Sequence, residues 1–404
     1  MNTRKNSHGM NGKGPELARL ADNIPAFYVL VIDKIANEYQ RSGKDIIKLN
    51  LGKSEVPMPK YVADEMVRNI YDGVRREMID PQGLIPLREE IARDHGVSSG
   101  ARISPDQVFI NNGTSPFFLS LFLLLAEPGD EILLPLPYYP TYVASANMAR
   151  LGKSFYRIEN GRMNVDDVRS HFVPGKTKIV FLNSPGNPLG NVHTRKELKD
   201  ILDIIDGRAY VISDEIYDGF VYGDNYASIL SVYDPARDKV IVVNGFSKIH
   251  HMYTRRLGYA IVPEELVPAL LRFQQHTIVC VDPITQFAGL VSMQNKERLI
   301  REETKAEIEE YRRRLHASER ILRGTRARVI PPAGSFYMCL DVSGYLSPKM
   351  PNSLRLAEEL LNAKGVAVTP GEDFGKSDFF RVSLTSSRLV EGIERMADFF
   401  ARLK

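Results

Sequence analysis

The stretch Lys178–Tyr217, "KIVFLNSPGNPLGNVHTRKELKDILDIIDGRAYVISDEIY", decides the fold class. It opens on a short apolar run, "KIVFLN", with the composition of a strand buried on both faces. A turn rich in Pro, Gly and Asn follows. Then "TRKELKDILDIIDG" sets Leu198, Ile201, Leu202 and Ile205 at the three- and four-residue spacing of one helix face. A second apolar run, "AYVISD", closes the unit. Strand, helix and strand in this order predict a parallel crossover.

The same alternation extends outward. Strand-like runs occur at "QVFIN", "EILLP", "KVIVVN" and "LGYAIV", and helix-period stretches separate most of them. The expectation is an α/β fold with a mostly parallel sheet and helices on both faces. After about Pro283 the character changes. A long charged helix, "ERLIREETKAEIEEYRRRLHASERILRG", precedes "GSFYMCLDV", "SLRLAEELLNAKG", "VAVTP", "FFRVSLT" and a closing helix. That is a small α+β unit. The expected organisation is a flexible tail over 1–20, a segment over 21–59 joining the small domain, a large domain over 60–295 and a small domain over 296–404.

The composition suits a globular enzyme: 404 residues, 43% hydrophobic and 25% charged. A net charge of +3 gives no reason to expect a nucleic acid or a membrane surface as partner. The longest apolar run, "PFFLSLFLLLA", is too short to span a bilayer and reads as a buried helix. The polar, basic start is no secretory signal. Cys280 and Cys339 are not spaced as a metal pair and read as free thiols of a reducing compartment, so a cytoplasmic setting is expected.

In open parallel sheets ligands bind beyond the carboxyl ends of the strands. Those ends carry Gly113-Thr114-Ser115, Asn187 in "NSPGNPLG", Asp214 with Tyr217, and Ser247-Lys248. Each has an ordinary alternative. Thr114 and Ser115 could be helix caps or an anion site. Asn187 could be a turn residue, Asp214 a cap and Lys248 a surface lysine. Convergence of four strand ends on one crevice favours a shared ligand.

On these residues the chain resembles fold type I enzymes that use pyridoxal 5′-phosphate, most closely the class I and II aminotransferases. The resemblance rests on Ser247-Lys248, Arg256 eight residues on and Leu257-Gly258-Tyr259, with "NSPGNPLG" and "SDEIY" upstream. It runs from about Ile47 to Arg381. It implies a large domain with a mostly parallel sheet of the seven-stranded type, and a small α+β domain drawn from the N- and C-terminal segments. Lys248 is then the residue expected to form a Schiff base with the cofactor aldehyde. Released by substrate, it carries the proton off the α-carbon through an α-carbanion. Asp214 pairs with the pyridine nitrogen. Asn187 and Tyr217 bond the phenolic oxygen, and Tyr139 stacks on the ring. Gly113, Thr114, Ser115, Ser247 and Arg256 hold the phosphate. Arg381 receives the substrate α-carboxylate, and Gly52 leaves room beside the substrate. The implied partners are an α-amino acid, a keto acid co-substrate and a second copy of the chain in a homodimer.

Several positions depart from the family pattern. Met78 stands where a tyrosine often reaches across the dimer, and Thr254-Arg255 replaces Gly-Trp. Lys53-Ser54-Glu55 replaces Glu-Pro-Asp, and Leu189 replaces a threonine. Lys53 could pair with a second carboxylate and Glu55 with a cationic side chain, or both could be solvated. His250-His251 read as loop or packing residues, with a place near the phosphate or an acid/base role as the alternative. No metal site is expected. Lyase, γ-substitution or cyclisation chemistry on the same fold remains open. A cofactor-binding sensor would carry a DNA-binding domain, and the segment before Gly52 has no basic helix-turn-helix pattern. A Ser-Lys hydrolase would leave Asp214 and Asn187 unexplained.

Overall fold

The computed structural model describes residues 16–71, 79–159 and 161–403. Most of the predicted tail and Met78 lie outside them. The first strand, β1 (Ile47–Lys48), belongs to the small domain, where it pairs in parallel with a strand near the C terminus. The large sheet is built from β2 (Val108–Asn111), β3 (Glu131–Leu136), β4 (Gly152–Glu159), β5 (Arg162–Met163), β6 (Thr177–Asn183), β7 (Tyr210–Asp214), β8 (Lys239–Gly245) and β9 (Gly258–Ile261). Their order is β2-β9-β8-β7-β6-β3-β4-β5. β3, β4, β6, β7 and β8 run parallel. β9 is antiparallel to both of its neighbours, so β2 has the direction of β8. The two-residue β5 is the addition to the seven strands expected, and folds back on β4.

The central strands read as unbroken apolar runs because both faces of the sheet are covered. In β6, Ile179 and Phe181 enter a core with Phe118, Leu121 and Tyr142 on one face. Val180 and Leu182 enter a second core with Leu198, Ile201, Leu202 and Ile205 on the other. The period of two along a strand sorts the side chains between these cores. The helix Arg195–Ile205 forms where its apolar spacing predicts, and a Thr194–Glu197 capping box closes its start. The helix Ser115–Leu125 is the buried apolar one.

The small domain holds an antiparallel sheet of β10 (Arg328–Ile330), β11 (Tyr337–Asp341), β13 (Thr369–Pro370) and β14 (Phe379–Ser383), in the order β10-β11-β14-β13. β12 (Val366–Ala367) pairs with β1, and the helix Tyr28–Arg41 packs beside it. N- and C-terminal segments thus build one unit, with Leu49, Leu356, Phe380, Val382 and Ile393 in a common core. The long charged helix is interrupted. Lys296–Leu299 leads into a π-helical turn, Ile300–Thr304, and then Lys305–Leu322. The wider turn rotates the helix face and brings Thr304 and Glu307 inward, where both are buried.

Candidate active site

The carboxyl ends of β2, β3, β6, β7 and β8 meet at a cavity of about 440 Å³, closed on its far side by β11, β14 and the loop after β1. That is an ordinary volume for a small-molecule site. Eleven of the twelve residues singled out from the sequence line it: Gly52, Thr114, Ser115, Tyr139, Asn187, Asp214, Tyr217, Ser247, Lys248, Arg256 and Arg381. Gly113, the twelfth, lies directly behind Arg256. Its φ is +87°, and a Cβ there would come within 2.7 Å of Arg256 Nη2.

One end of the cavity is an anion cradle. Thr114 and Ser115 open the helix Ser115–Leu125, yet Thr114 makes no side-chain cap. Pro116 has no N–H and Phe117 N donates to Thr114 O at 3.1 Å, so the Ser115 N–H and both hydroxyls are the groups left for a ligand. Arg256 reaches the cradle from the other side, with Nη1 3.4 Å from Ser247 Oγ. Gly258 lets β9 pass against the backbone of the cradle, since a Cβ there would lie 2.7 Å from Thr114 N. The helix-cap alternative for these residues is thereby disfavoured.

Asp214 ends β7 with its side chain on the Tyr142 face of the sheet. It is buried, accepting 2.7 Å from Tyr142 Oη and 3.2 Å from Ile216 N. Burial raises its carboxyl to about 6. Among the described residues no cation is bonded to it, so a protonated ring nitrogen would meet an unneutralised carboxylate. Asn183 fixes the neighbouring loop. Its Nδ2 donates to Asp214 O at 3.0 Å, and its Oδ1 accepts from Asn187 N at 2.8 Å.

Lys248 Nζ stands 2.8 Å from Gly52 O, with the Tyr217, Phe336 and Tyr253 rings 5.1 to 5.5 Å away. Desolvation, then the charges of Arg381 and Arg256, pull the amine down to about 7. Arg381 projects from β14 and is buried. Nη1 donates to Asn187 Oδ1 at 3.0 Å, and Nη2 to Asn50 O at 2.6 Å and Thr369 Oγ1 at 3.1 Å. Its Nε is buried without a partner. The Tyr337 ring lies against the guanidinium, its centroid 4.2 Å from Cζ. Gly52 has a second reason to be glycine: a Cβ there would fall 1.7 Å from Tyr337 Oη.

The site residues that sequence reasoning missed are Tyr142, Asn183 and Tyr337. Tyr142 lies in the helix Pro140–Met148, three residues after Tyr139, which immediately precedes that helix, and both line the cavity. Asn183 closes β6 and was quoted only as a strand end. Nothing in "GSFYMCLDV" singles out Tyr337.

His250 and His251 do not line the cavity. They occupy the turn after β8, His251 at φ +52°. His250 Nδ1 is 2.8 Å from Ser292 Oγ, and His251 Nε2 is 2.9 Å from Glu307 Oε1. Both are packing residues. Lys53 and Glu55 are exposed, and Glu55 accepts 2.9 Å from Ser387 N. Thr254 does line the cavity. Among the described residues no cluster of His, Cys, Asp and Glu could hold a metal ion.

The arrangement offers an anion cradle, a buried carboxylate without a cation, a nucleophilic amine and a guanidinium with a spare donor. Pyridoxal 5′-phosphate has the matching phosphate, ring nitrogen and aldehyde, and an amino-acid carboxylate matches the last. The residues present fit that group.

The family model for aminotransferase class I and II matches residues 44–399. An aspartate aminotransferase of Thermotoga maritima is 32% identical, over 95% of this chain and 99% of that protein. A (5-formylfuran-3-yl)methyl phosphate transaminase of Methanocaldococcus jannaschii is 31% identical, over 93% of this chain and 97% of that protein. The solved structure of an aspartate aminotransferase from Thermus thermophilus with maleate is similar at a TM-score of 0.88 and 28% identity, covering 95% of this chain and 100% of that one.

Proposed function

The chain belongs to the aminotransferase class I and II family, whose members depend on pyridoxal 5′-phosphate, and from this we propose what its individual residues do. The reaction class is amino-group transfer, with an α-amino acid as donor and a keto acid as acceptor. When bound, the cofactor supplies an aldehyde that captures amino groups and a ring that withdraws electrons from the substrate α-carbon.

Lys248 holds the cofactor covalently and, once displaced by substrate, moves the α-proton at Nζ. An amine with a pKa near 7 can take up and return that proton at neutral pH. Asp214 keeps the ring nitrogen protonated, and Tyr142 and the Ile216 amide hold the carboxylate in place. The cradle of Gly113, Thr114, Ser115, Ser247 and Arg256 takes the phosphate. Asn187 and Tyr217 bond the phenolic oxygen, and Tyr139 covers the ring. Arg381 receives the α-carboxylate through its free Nε and the Nη1 it shares with Asn187. The relatives named for aspartate make it the first donor to assay. The relative with a different printed substrate, at nearly the same identity, leaves the side chain to be decided by this pocket.

We further propose that two copies form a homodimer, that the division near residue 295 separates the large and small domains, and that the protein works in the cytoplasm. Free Cys280 and Cys339 support the last point. No helix of the described residues is long and apolar enough to cross a membrane.

The observation that carries the reading is the presence of the Lys248 amine and the unpaired Asp214 carboxylate in one cavity. The test is absorbance. The purified protein is expected to be yellow, and Lys248→Ala to lose that chromophore. Addition of an amino acid without a keto acid should bleach the colour, leaving pyridoxamine phosphate and releasing a keto acid. A colourless active protein would overturn the cofactor, and release of a side-chain fragment with the colour retained would overturn amino transfer.

A further inference from the structure

We propose that Glu307 is a positioning residue for the Lys248 amine, joining the turn that carries Lys248 to the loop that carries Gly52. The inference rests on the role given to Lys248 above. Lys248 follows β8 in the large domain, and Gly52 follows β1 in the small one. The two segments meet at Lys248 Nζ, 2.8 Å from Gly52 O. A contact between two loops keeps its length only if both loops are held from behind.

Glu307 holds both. Its Oε1 lies 2.9 Å from His251 Nε2, and its Oε2 accepts from Ser54 Oγ at 3.0 Å and from Tyr311 Oη. His251 belongs to the Lys248 turn, and its backbone N–H donates to Lys248 O at 3.1 Å. Ser54 belongs to the Gly52 loop, where its Oγ also accepts from Val56 N at 3.0 Å. The contacts close a ring that runs from Lys248 through His251, Glu307, Ser54 and Gly52 back to the amine.

Three features give this ring more than a space-filling role. His251 sits at φ +52°, a left-handed conformation uncommon for a residue with a Cβ, and such strain collects beside reactive groups. The His251 side chain is fully buried and that of Glu307 nearly so. A buried carboxylate is costly unless paired, and among the described residues His251 is its ion-pair partner. The pairing acts through charge more than direction, because Nε2 and Oε1 approach without completing a hydrogen bond. Finally, Glu307 lies in the first turn of the helix Lys305–Leu322, directly after the π turn that rotates it inward. Glu303, within that π turn, stands farther from His251, at 3.8 Å.

Cutting either arm lets the Gly52 loop part from the amine and admits water to Nζ. Loss of the carbonyl acceptor favours the neutral amine, and rehydration favours the charged one. Rehydration is the larger effect. Burial is the first cause of the lowered Lys248 pKa, ahead of the Arg381 and Arg256 charges, with Asp214 opposing. The test is borohydride trapping of an aldehyde at Lys248 in the full chain freed of cofactor, followed against pH. The variants are His251→Asn, Ser54→Ala and the two together, each checked for wild-type circular dichroism. Asparagine tolerates the left-handed backbone and is too short to meet Glu307. The trapping midpoint is expected to move from near 7 to about 8 in each single variant. The double variant should move no further, since both changes open the same ring. Glu307→Gln keeps the shape and can still accept from Ser54 and Tyr311. It should match His251→Asn, and it decides the question if an arm variant fails to fold. An unmoved midpoint in the folded variants would overturn the proposal, and so would a double shift equal to the sum of the single ones. The cofactor reading is judged separately, by the wild-type chromophore and its loss in Lys248→Ala.

Discussion

Lys248 and Asp214 are both driven toward their neutral forms by the walls around them. The amine sits near 7 and the carboxyl near 6. As pH rises through 7, Lys248 loses its proton and becomes a nucleophile. Capture of an aldehyde by the cofactor-free protein should therefore accelerate with a midpoint near 7, well below that of an ordinary lysine. Borohydride trapping and peptide mapping across pH 6 to 9 would read this, and a rate still climbing at pH 9 would refute it. The linkage sign is set by the same shift. Between about 7 and 10.5 the unfolded chain binds a proton that the folded one does not, so this group makes the cofactor-free protein more stable as pH rises through that window. Arg381 gives a separate expectation. Lysine cannot reproduce a planar donor set shared among Asn187, Asn50 and Thr369. Arg381→Lys should lower kcat/KM by about 30- to 1000-fold, equivalent to about 2–4 kcal/mol, with the chromophore retained.

At the scale of elements, the loop after β1 and the strand β11 are fitted to each other at one point. Tyr337 Oη occupies the space a Gly52 side chain would need, and bonds Tyr217 Oη at 3.1 Å. Gly52→Ala must push the ring or the loop aside, at about 1–3 kcal/mol in denaturant unfolding. Adding Tyr337→Phe removes the hydroxyl and should recover part of that loss, and strict additivity of the two changes would rule out the contact. The sequence was most legible where physics repeats. Period-two strands buried on both faces and the Leu198–Ile205 helix face announce the large sheet. β4 escaped because "GKSFYRIE" alternates charged with apolar residues near the sheet edge, where only Tyr156 and Ile158 are buried. The π turn at Ile300–Thr304 escaped because its ion pairs keep ordinary helical spacing, as in Arg298–Glu302. The strand ends could be placed by a rule of topology. The long-range contacts, Arg381 to Asn187 between the domains and Asp373 to Tyr28 within the small one, join residues 194 and 345 positions apart, and no local pattern encodes them.

At the scale of the whole molecule, the surface carries large apolar side chains that its own fold leaves uncovered. Val67 and Ile70, three apart on one face of the helix Lys60–Tyr71, are 53% and 57% exposed, and Ile85 at the start of the helix Ile85–Ser99 is 54% exposed. Single exposed apolar residues are ordinary, but a pair at helical spacing on a helix whose other face already packs on Pro283–Gln294 is a surface prepared for a partner. A second copy is the occupant proposed, since closed twofold pairs are the commonest assemblies. Light scattering on the eluting protein should give about 91 kDa, twice the 45.6 kDa of the chain. Val67→Glu with Ile70→Glu places charge on that face and touches neither sheet nor cavity. It should shift the protein to the monomer mass with its circular dichroism unchanged. A monomer mass for the wild type would overturn the dimer. A dimer mass for a folded double variant would move the interface away from this helix. If activity falls with the dimer while the chromophore persists, the pocket mouth at Leu30 and Tyr253 is completed by the partner. If a folded monomer keeps full kcat/KM, the cavity described here is the whole active site.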